Sequence, residues 1–187
     1  MAYAFEFCQG NMVEDPATFI VNSSNTILQI GSGISSAFRQ VCGEDLQEIM
    51  DYAREEFEYK YGKIQQGDVI LTDAAEANHL RYILHAVLMN YQASQDDHPT
   101  FTMIEQCLTN IHKHIKETIL SHPDLVKTPI RLTLPLLGTG EGGLDKKQVA
   151  LLYRDFFIHT QIDSPIICAI YGLTPEDYEI IKTVFLV

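Results

Sequence analysis

The sequence predicts a single α/β domain built on a mixed, mostly parallel central sheet with helices on both faces. Strand-like and helix-like segments alternate along most of the 187 residues, which is typical of this class. The strand-like segments are unbroken apolar runs, as expected for strands buried on both faces. Because 46% of the residues are hydrophobic, the chain can bury a sizeable core. We therefore expect one domain spanning residues 1–187.

The first third of the chain predicts two strands and two helices. Tyr3–Cys8 and Thr18–Asn22 are short apolar runs typical of strands. From Ile34 to Tyr59 the apolar residues recur at helical spacing. Gly43 should divide this stretch into two helices, since glycine commonly ends a helix.

The middle of the chain continues the alternation. Asp68–Ala74 and Arg81–Met89 are apolar runs that predict buried strands. A polar loop, residues 90–99, then leads into a helix predicted over Thr100–Leu120.

The last third predicts strand, helix, strand and helix. Residues 129–138 and 165–172 are the strands, and Asp145–Phe157 is the helix between them. The final helix has a clear start, because Thr174 is a favourable N-cap and Pro175 suits the first helical position.

Composition excludes several classes of function. The net charge of −12 argues against binding a nucleic-acid backbone, which requires a basic surface. No apolar run approaches a membrane span, and no basic-then-apolar signal peptide opens the chain. The four cysteines lack metal-site spacing, and we expect them to be reduced core thiols of a cytosolic protein, made in the cytosol or delivered into it by a host or pathogen.

The histidines also lack the pattern of a metal site. His112 and His114 are two residues apart on a predicted helix, so they point in different directions. His85 lies within an apolar strand and is expected in the core. We therefore expect neither a metal nor another cofactor.

Two glycine-containing loops stand between a strand and a helix. The first, "VNSSNTILQIGSGISSAF", places Asn22 and Asn25 before Gly31 and Gly33, and a helix begins near Ser35. Glycines let a ligand approach the backbone, and N–H groups at a helix start favour an anion. In a parallel sheet such loops meet beyond the carboxyl ends of the strands, where ligands bind.

The second loop, "LLGTGEGGLD", carries four glycines within residues 138–143. Neither loop has the spacing of a Walker A or a dinucleotide-binding motif, which disfavours nucleotide kinases and nicotinamide dehydrogenases. Each loop alone is also consistent with a tight turn. Together they predict two walls around one phosphate-containing ligand, held by backbone N–H groups.

These motifs resemble those of the macro domain family. "IVNSSNTILQIGSGISSAF" resembles its signature, Val-Asn-Ala-Ala-Asn followed by Leu and a Gly-Gly-Gly-Val turn. "GDVILTDA", "RYILHAV" and "LPLLGTGEGGLD" resemble its middle strands and its second phosphate loop, and "IICAIYG" its last strand. The resemblance implies a three-layer α/β/α fold that binds ADP-ribose or an ADP-ribosylated protein. Many members also hydrolyse the bond between ADP-ribose and a protein, a nucleic acid or an acyl group.

The resemblance also implies roles for individual residues. Asn11 replaces an acid that reads the adenine amino group, and Tyr171 is placed to stack on adenine or to lie in the core. Asn25 matches an asparagine that contacts the distal ribose, whereas Ser35 stands where some hydrolytic members have an aspartate. Gly142 replaces a common aromatic. The full set of expected ligand contacts is Asn11, Met12, Asn22, Asn25, Gly31, Ser32, Gly33, Ile34, Ser35, Gly138, Thr139, Gly140, Glu141, Gly142 and Tyr171.

Three side chains are candidates for a catalytic role. Asn25 could position a water, Glu141 could orient one, and Asp145 resembles the loop acid of one branch of the family. Asp145 is also a plausible N-cap of the following helix. Two functions therefore stay open, an ADP-ribosyl hydrolase and a binding module without chemistry, with a sensor of another NAD-derived signal as a weaker third.

Overall fold

A computed structural model of the protein describes residues 3–91 and 98–186. In this part of the chain six strands form one sheet in the order β1-β6-β5-β2-β4-β3. The strands are β1 (Ala4–Gln9), β2 (Ala17–Asn25), β3 (Val69–Asp73), β4 (Leu80–Met89), β5 (Ile130–Pro135) and β6 (Ile166–Gly172). All neighbouring pairs are parallel except β3 with β4, which is antiparallel. The predicted mixed, mostly parallel sheet is confirmed.

Five α-helices of the described chain cover the two faces of this sheet. They are α1 (Ile34–Cys42), α2 (Asp45–Tyr61), α3 (Phe101–Ser121), α4 (Lys146–His159) and α5 (Pro175–Phe185). One core cluster contains buried residues of α1 and α2, such as Phe38 and Met50. The other contains buried residues of α3, α4 and α5, such as Ile104, Val149 and Ile181. The molecule is thus a three-layer α/β/α sandwich.

Local capping explains where the helices begin and end. The break predicted at Gly43 is present, and this residue has a φ of 79° that glycine adopts readily. Thr100 caps α3 by accepting the Met103 N–H. Thr174 and Asp177 form a reciprocal capping box at the start of α5, where Pro175 is the first residue.

Strand β2 is longer than the sequence predicts. It continues to Asn25 because its pairing with β4 extends to Met89, with a register shift between Ser24 and Asn25. The first polar stretch therefore lies on the end of a strand rather than in a loop, and its side chains alternate between the two faces.

The prediction of core thiols agrees with the structure for three of the four cysteines. The four cysteines are free, with Cys42, Cys107 and Cys168 buried and Cys8 half-buried. No helix within residues 3–91 and 98–186 is long and apolar enough to cross a membrane.

Candidate functional site

A cavity of about 620 Å³ opens at the carboxyl ends of the parallel strands. Its walls come from the end of β2, the start of α1, the segment after β5, and the connection from β6 to α5. This is the edge of the sheet at which α/β proteins bind ligands. The volume lies within the range typical of small-molecule sites.

The first wall is the turn between β2 and α1. Gly33 has a φ of 66° and precedes the first residue of α1, so the chain reverses there without strain. The side chain of Asn25 holds the beginning of this turn. Its oxygen accepts the Ile27 and Gln29 N–H groups at 3.3 and 3.2 Å, and its nitrogen donates to the Gln29 carbonyl at 2.8 Å. An amide nitrogen carries two hydrogens, so Asn25 retains one N–H for a ligand.

The second wall is the glycine loop of residues 138–143. A methyl group on Gly142 would lie 2.5 Å from the Gly138 carbonyl oxygen, so the loop closes tightly on itself. Its beginning is anchored by buried Tyr153, whose hydroxyl accepts the Leu137 N–H at 2.9 Å and donates to the Pro135 carbonyl at 2.7 Å. Tyr153 of α4 therefore fixes the backbone at the beginning of this loop.

One hydrogen bond joins the two walls. The Ser32 hydroxyl donates to the Glu141 carboxylate at 3.3 Å, although these residues are 109 positions apart in sequence. Both side chains are on the cavity lining. The predicted meeting of the two glycine loops around one space is thus present in the structure.

Asn22 is not on the cavity lining, although the resemblance implies that it contacts the ligand. It is fully buried, because its position on β2 directs it into the α1 and α2 layer beside His85, its neighbour in register on β4. Its nitrogen lies 3.1 Å from His85 Nδ1, and its oxygen accepts the Ser35 hydroxyl at 3.1 Å. Asn22 thus contacts the start of α1 from inside the core, through its hydrogen bond with Ser35.

Two sets of hydrogen positions satisfy these buried contacts, and the tautomer of His85 selects between them. With the proton on Nε2, His85 donates to the Thr72 hydroxyl at 2.9 Å, its Nδ1 accepts from the Asn22 amide, and the Asn22 oxygen accepts from Ser35. With the proton on Nδ1, the direction reverses, and the Ser35 hydroxyl donates to the Ser23 carbonyl at 3.0 Å. Burial lowers the pKa of His85 to about 3, which keeps the imidazole neutral. The chain of contacts runs from edge strand β3 to the start of α1.

The far end of the cavity contains Asn11 and Tyr171. Asn11 is exposed, and its amide accepts the Val13 N–H and donates to Glu14. Tyr171 is 4% exposed, and its hydroxyl donates to Asp15. Burial first, and then this contact, raise the pKa of the phenol. The Tyr171 hydroxyl is therefore held by Asp15, and the residue is part of the cavity lining. Stacking of Tyr171 on adenine stays a prediction.

An ion pair on the lining was not predicted from the sequence. Lys146 Nζ lies 2.6 Å from Asp177 Oδ1, and the side chains are 40% and 8% exposed. Burial would raise the pKa of Asp177, but the bonds from Lys146 and from the Thr174 N–H lower it. The sequence does place Lys146 at the start of the helix that follows the second glycine loop, which could have suggested Lys146 as a site residue. The ion pair itself was not predictable, because Asp177 is 31 residues away in sequence.

The structure sorts the other predicted site residues as follows. The lining includes Asn11, Met12, Asn25, Gly31, Ser32, Gly33, Ile34, Ser35, Gly138, Thr139, Gly140, Glu141, Gly142 and Tyr171. Asp145 is not part of it; its carboxylate accepts the Gln148 N–H at 2.9 Å and caps α4, and its catalytic role stays a prediction. Lining residues that the sequence did not suggest are Gly10, Ser23, Ser24, Ala37, Leu88, Met89, Tyr91, Pro135, Leu136, Lys146, Leu173 and Asp177.

Comparison with known families decides what kind of domain this is. The family model described as Macro domain matches residues 21–153, which is more than half of the chain. The chain belongs to the macro domain family. The matched region contains both walls of the cavity.

Solved macrodomain structures have the same fold. A mutant macrodomain of Oceanobacillus iheyensis, solved with ADPR, superposes with a TM-score of 0.78 over 97% of this chain and 91% of its own, at 20% sequence identity. A macrodomain of Trypanosoma brucei in complex with ADP-ribose gives a TM-score of 0.71 at 17% identity, over 97% of this chain and 68% of its own.

The sequence relatives differ in how much of each chain the match covers. An uncharacterized protein of Sulfurisphaera tokodaii is 26% identical over 95% of this chain and 88% of its own length. A protein of Archaeoglobus fulgidus named ADP-ribose glycohydrolase is 28% identical over 44% of this chain and 45% of its own. An uncharacterized protein of Thermococcus kodakarensis is 32% identical, and the match spans about half of its length, 48%.

Proposed function

We propose that this protein binds ADP-ribose, either free or attached to a protein, in the cavity at the carboxyl ends of the strands. One observation carries the proposal: the glycine turn before α1 and the glycine loop after β5 face each other across this cavity. Backbone N–H groups at two such turns suit a diphosphate. The macrodomains solved with ADP-ribose share the fold, which supports this choice of ligand.

We further propose that the bound ligand is the product of a hydrolytic reaction. Water would attack the anomeric carbon of the distal ribose, the bond from that carbon to the conjugated group would break, and the proton of the water would pass to the leaving group. Asn25 would position the ribose or the water with its remaining N–H. A base could be supplied by the ligand's own phosphate, since an amide is not basic.

A specific observation favours the second candidate, a binding module without chemistry. Within the described lining the acidic side chains are Glu141 and Asp177. Glu141 accepts from Ser32, and Asp177 accepts from Lys146 and from the Thr174 N–H. Neither carboxylate is therefore without a partner, and Ser35 replaces the acid expected of some hydrolytic relatives.

Calorimetric titration with ADP-ribose tests the binding proposal, and a release assay on proteins mono-ADP-ribosylated at acidic and at serine residues tests hydrolysis. Absence of heat with ADP-ribose would sink the first proposal. Binding without release would leave the binding module.

An Asn25→Asp variant has nearly the same shape but replaces the whole amide NH2 by an oxygen, so it removes the N–H available to a ligand together with the bond to the Gln29 carbonyl. We expect release to fall by about tenfold or more, the typical cost of losing one hydrogen bond to a charged or polarised group. Unchanged release in this variant would refute the proposed role of Asn25.

A further inference from the structure

The charged side chains on the cavity lining leave one candidate for contact with an anion. In the described part of the chain they are Glu141, Asp177 and Lys146. Two of the three are acids, in a protein whose net charge is −12. An anionic ligand entering this cavity therefore meets like charges, and Lys146 is the side chain that can offset them.

Lys146 is held in place on the lining. Its ammonium lies 2.6 Å from Asp177 Oδ1, while Asp177 Oδ2 accepts the Thr174 N–H at 3.3 Å as part of the α5 capping box. Because the acid is fixed at the start of a helix and is only 8% exposed, it fixes the direction of the longer lysine side chain.

The ammonium has donors to spare. It carries three N–H groups, and Asp177 accepts one of them. The lysine side chain is 40% exposed, so the others are open to the cavity. Lys146 also follows the glycine loop directly, four residues after Gly142. A phosphate held by that loop would lie within the field of this cation.

We propose that Lys146 is an anion subsite that binds a phosphate oxygen of the ligand's diphosphate while remaining paired with Asp177. This inference deepens the proposed function, because it specifies how an acidic macro domain accepts a diphosphate. Backbone N–H groups hold the anion on two sides, and one side-chain cation completes the site. Binding to a charged donor weakens with ionic strength.

The test compares Lys146→Gln with Lys147→Gln, a matched control. Lys147 is the next residue of the same helix, is exposed, and is absent from the cavity lining. Each protein is titrated with inorganic pyrophosphate, followed by NMR shifts, and with ADP-ribose, followed by calorimetry, at low and high salt. We expect Lys146→Gln to weaken both ligands by about tenfold, the order of one charge-assisted hydrogen bond, and to flatten the salt dependence. Lys147→Gln should match the wild type, and Lys146→Arg should retain most of the affinity.

Asp177→Asn separates ligand binding from helix packing. This variant also breaks the ion pair, but it keeps the lysine and removes an acid from the cavity, so pyrophosphate should bind more tightly. If Lys146→Gln and Asp177→Asn lower the midpoint of thermal unfolding equally, and Lys146→Gln leaves the affinity for pyrophosphate unchanged, the pair serves only to join α4 and α5 and the proposal is wrong.

The two ligands distinguish this proposal from the proposed function. Wild-type binding of pyrophosphate that depends on Lys146, without ADP-ribose binding, would support the subsite and overturn the function. ADP-ribose binding that is the same in wild type and Lys146→Gln at both salt concentrations would support the function and overturn the subsite.

Discussion

Replacing Tyr153 by phenylalanine should reduce stability more than a typical loss of one hydroxyl. The Tyr153 hydroxyl makes two hydrogen bonds at the start of the second glycine loop, to the Pro135 carbonyl and from the Leu137 N–H. Its removal leaves two backbone groups without this partner in a buried site. At roughly 1–3 kcal/mol for each of the two groups, we expect a loss of about 2–6 kcal/mol in the free energy of unfolding. That is a large share of the roughly 5–15 kcal/mol typical of a domain.

Urea denaturation of the wild type, Tyr153→Phe and Tyr3→Phe measures this difference. Tyr3 is a useful control because its hydroxyl has one hydrogen-bond partner among the described residues, His112 Nδ1 at 2.8 Å. We expect Tyr3→Phe to cost about 1 kcal/mol. A Tyr153→Phe loss no larger than that of Tyr3→Phe would refute the view that this hydroxyl anchors the loop.

Three further predictions concern the loops and the buried polar groups. Gly142→Ala should lower the thermal midpoint, since its methyl group would meet the Gly138 oxygen at 2.5 Å, whereas Gly140→Ala meets nothing within 4 Å and should leave the midpoint nearly unchanged. Ser24 and Thr133 have buried hydroxyls without a hydrogen-bond partner in the described chain, so Ser24→Ala and Thr133→Val should each raise the free energy of unfolding by about 1 kcal/mol; a decrease in denaturant midpoint would contradict this. His85 has a folded-state pKa of about 3 against an ordinary value near 6.5. At pH values between these two pKa values, unfolding therefore takes up a proton, and the free energy of unfolding falls as the pH drops through that window. In His85→Gln, the free energy of unfolding should depend less steeply on pH between about pH 4.5 and 6.5.

Much of the architecture was predictable because its signals are local. The break at Gly43, the cap at Thr174 and the first position at Pro175 each depend on neighbours within one helical turn. The two glycine loops were equally visible, and the parallel arrangement of the strands was enough to bring them together.

What the sequence did not predict depends on pairing between distant segments. Asn22 was expected at the ligand, but the register of β2 with β4 places it opposite His85 and inside the core. A one-residue shift in the pairing register moves every side chain of a strand to the other face. Lys146 was not identified because its partner, Asp177, comes from a helix 31 residues later. Asp145 had two interpretations; it caps α4, and its catalytic role stays a prediction.

The buried hydrogen bonds that link Thr72, His85, Asn22 and Ser35 share one direction of donation. Each member donates toward one neighbour and accepts from the other, so reversing any single group would set two donors or two acceptors against each other. The orientation of the Asn22 carboxamide consequently depends on the tautomer of His85. These contacts therefore connect the start of α1, and with it a turn that lines the cavity, to the edge strand β3. We expect a substitution at Thr72 to affect the cavity although Thr72 does not line it.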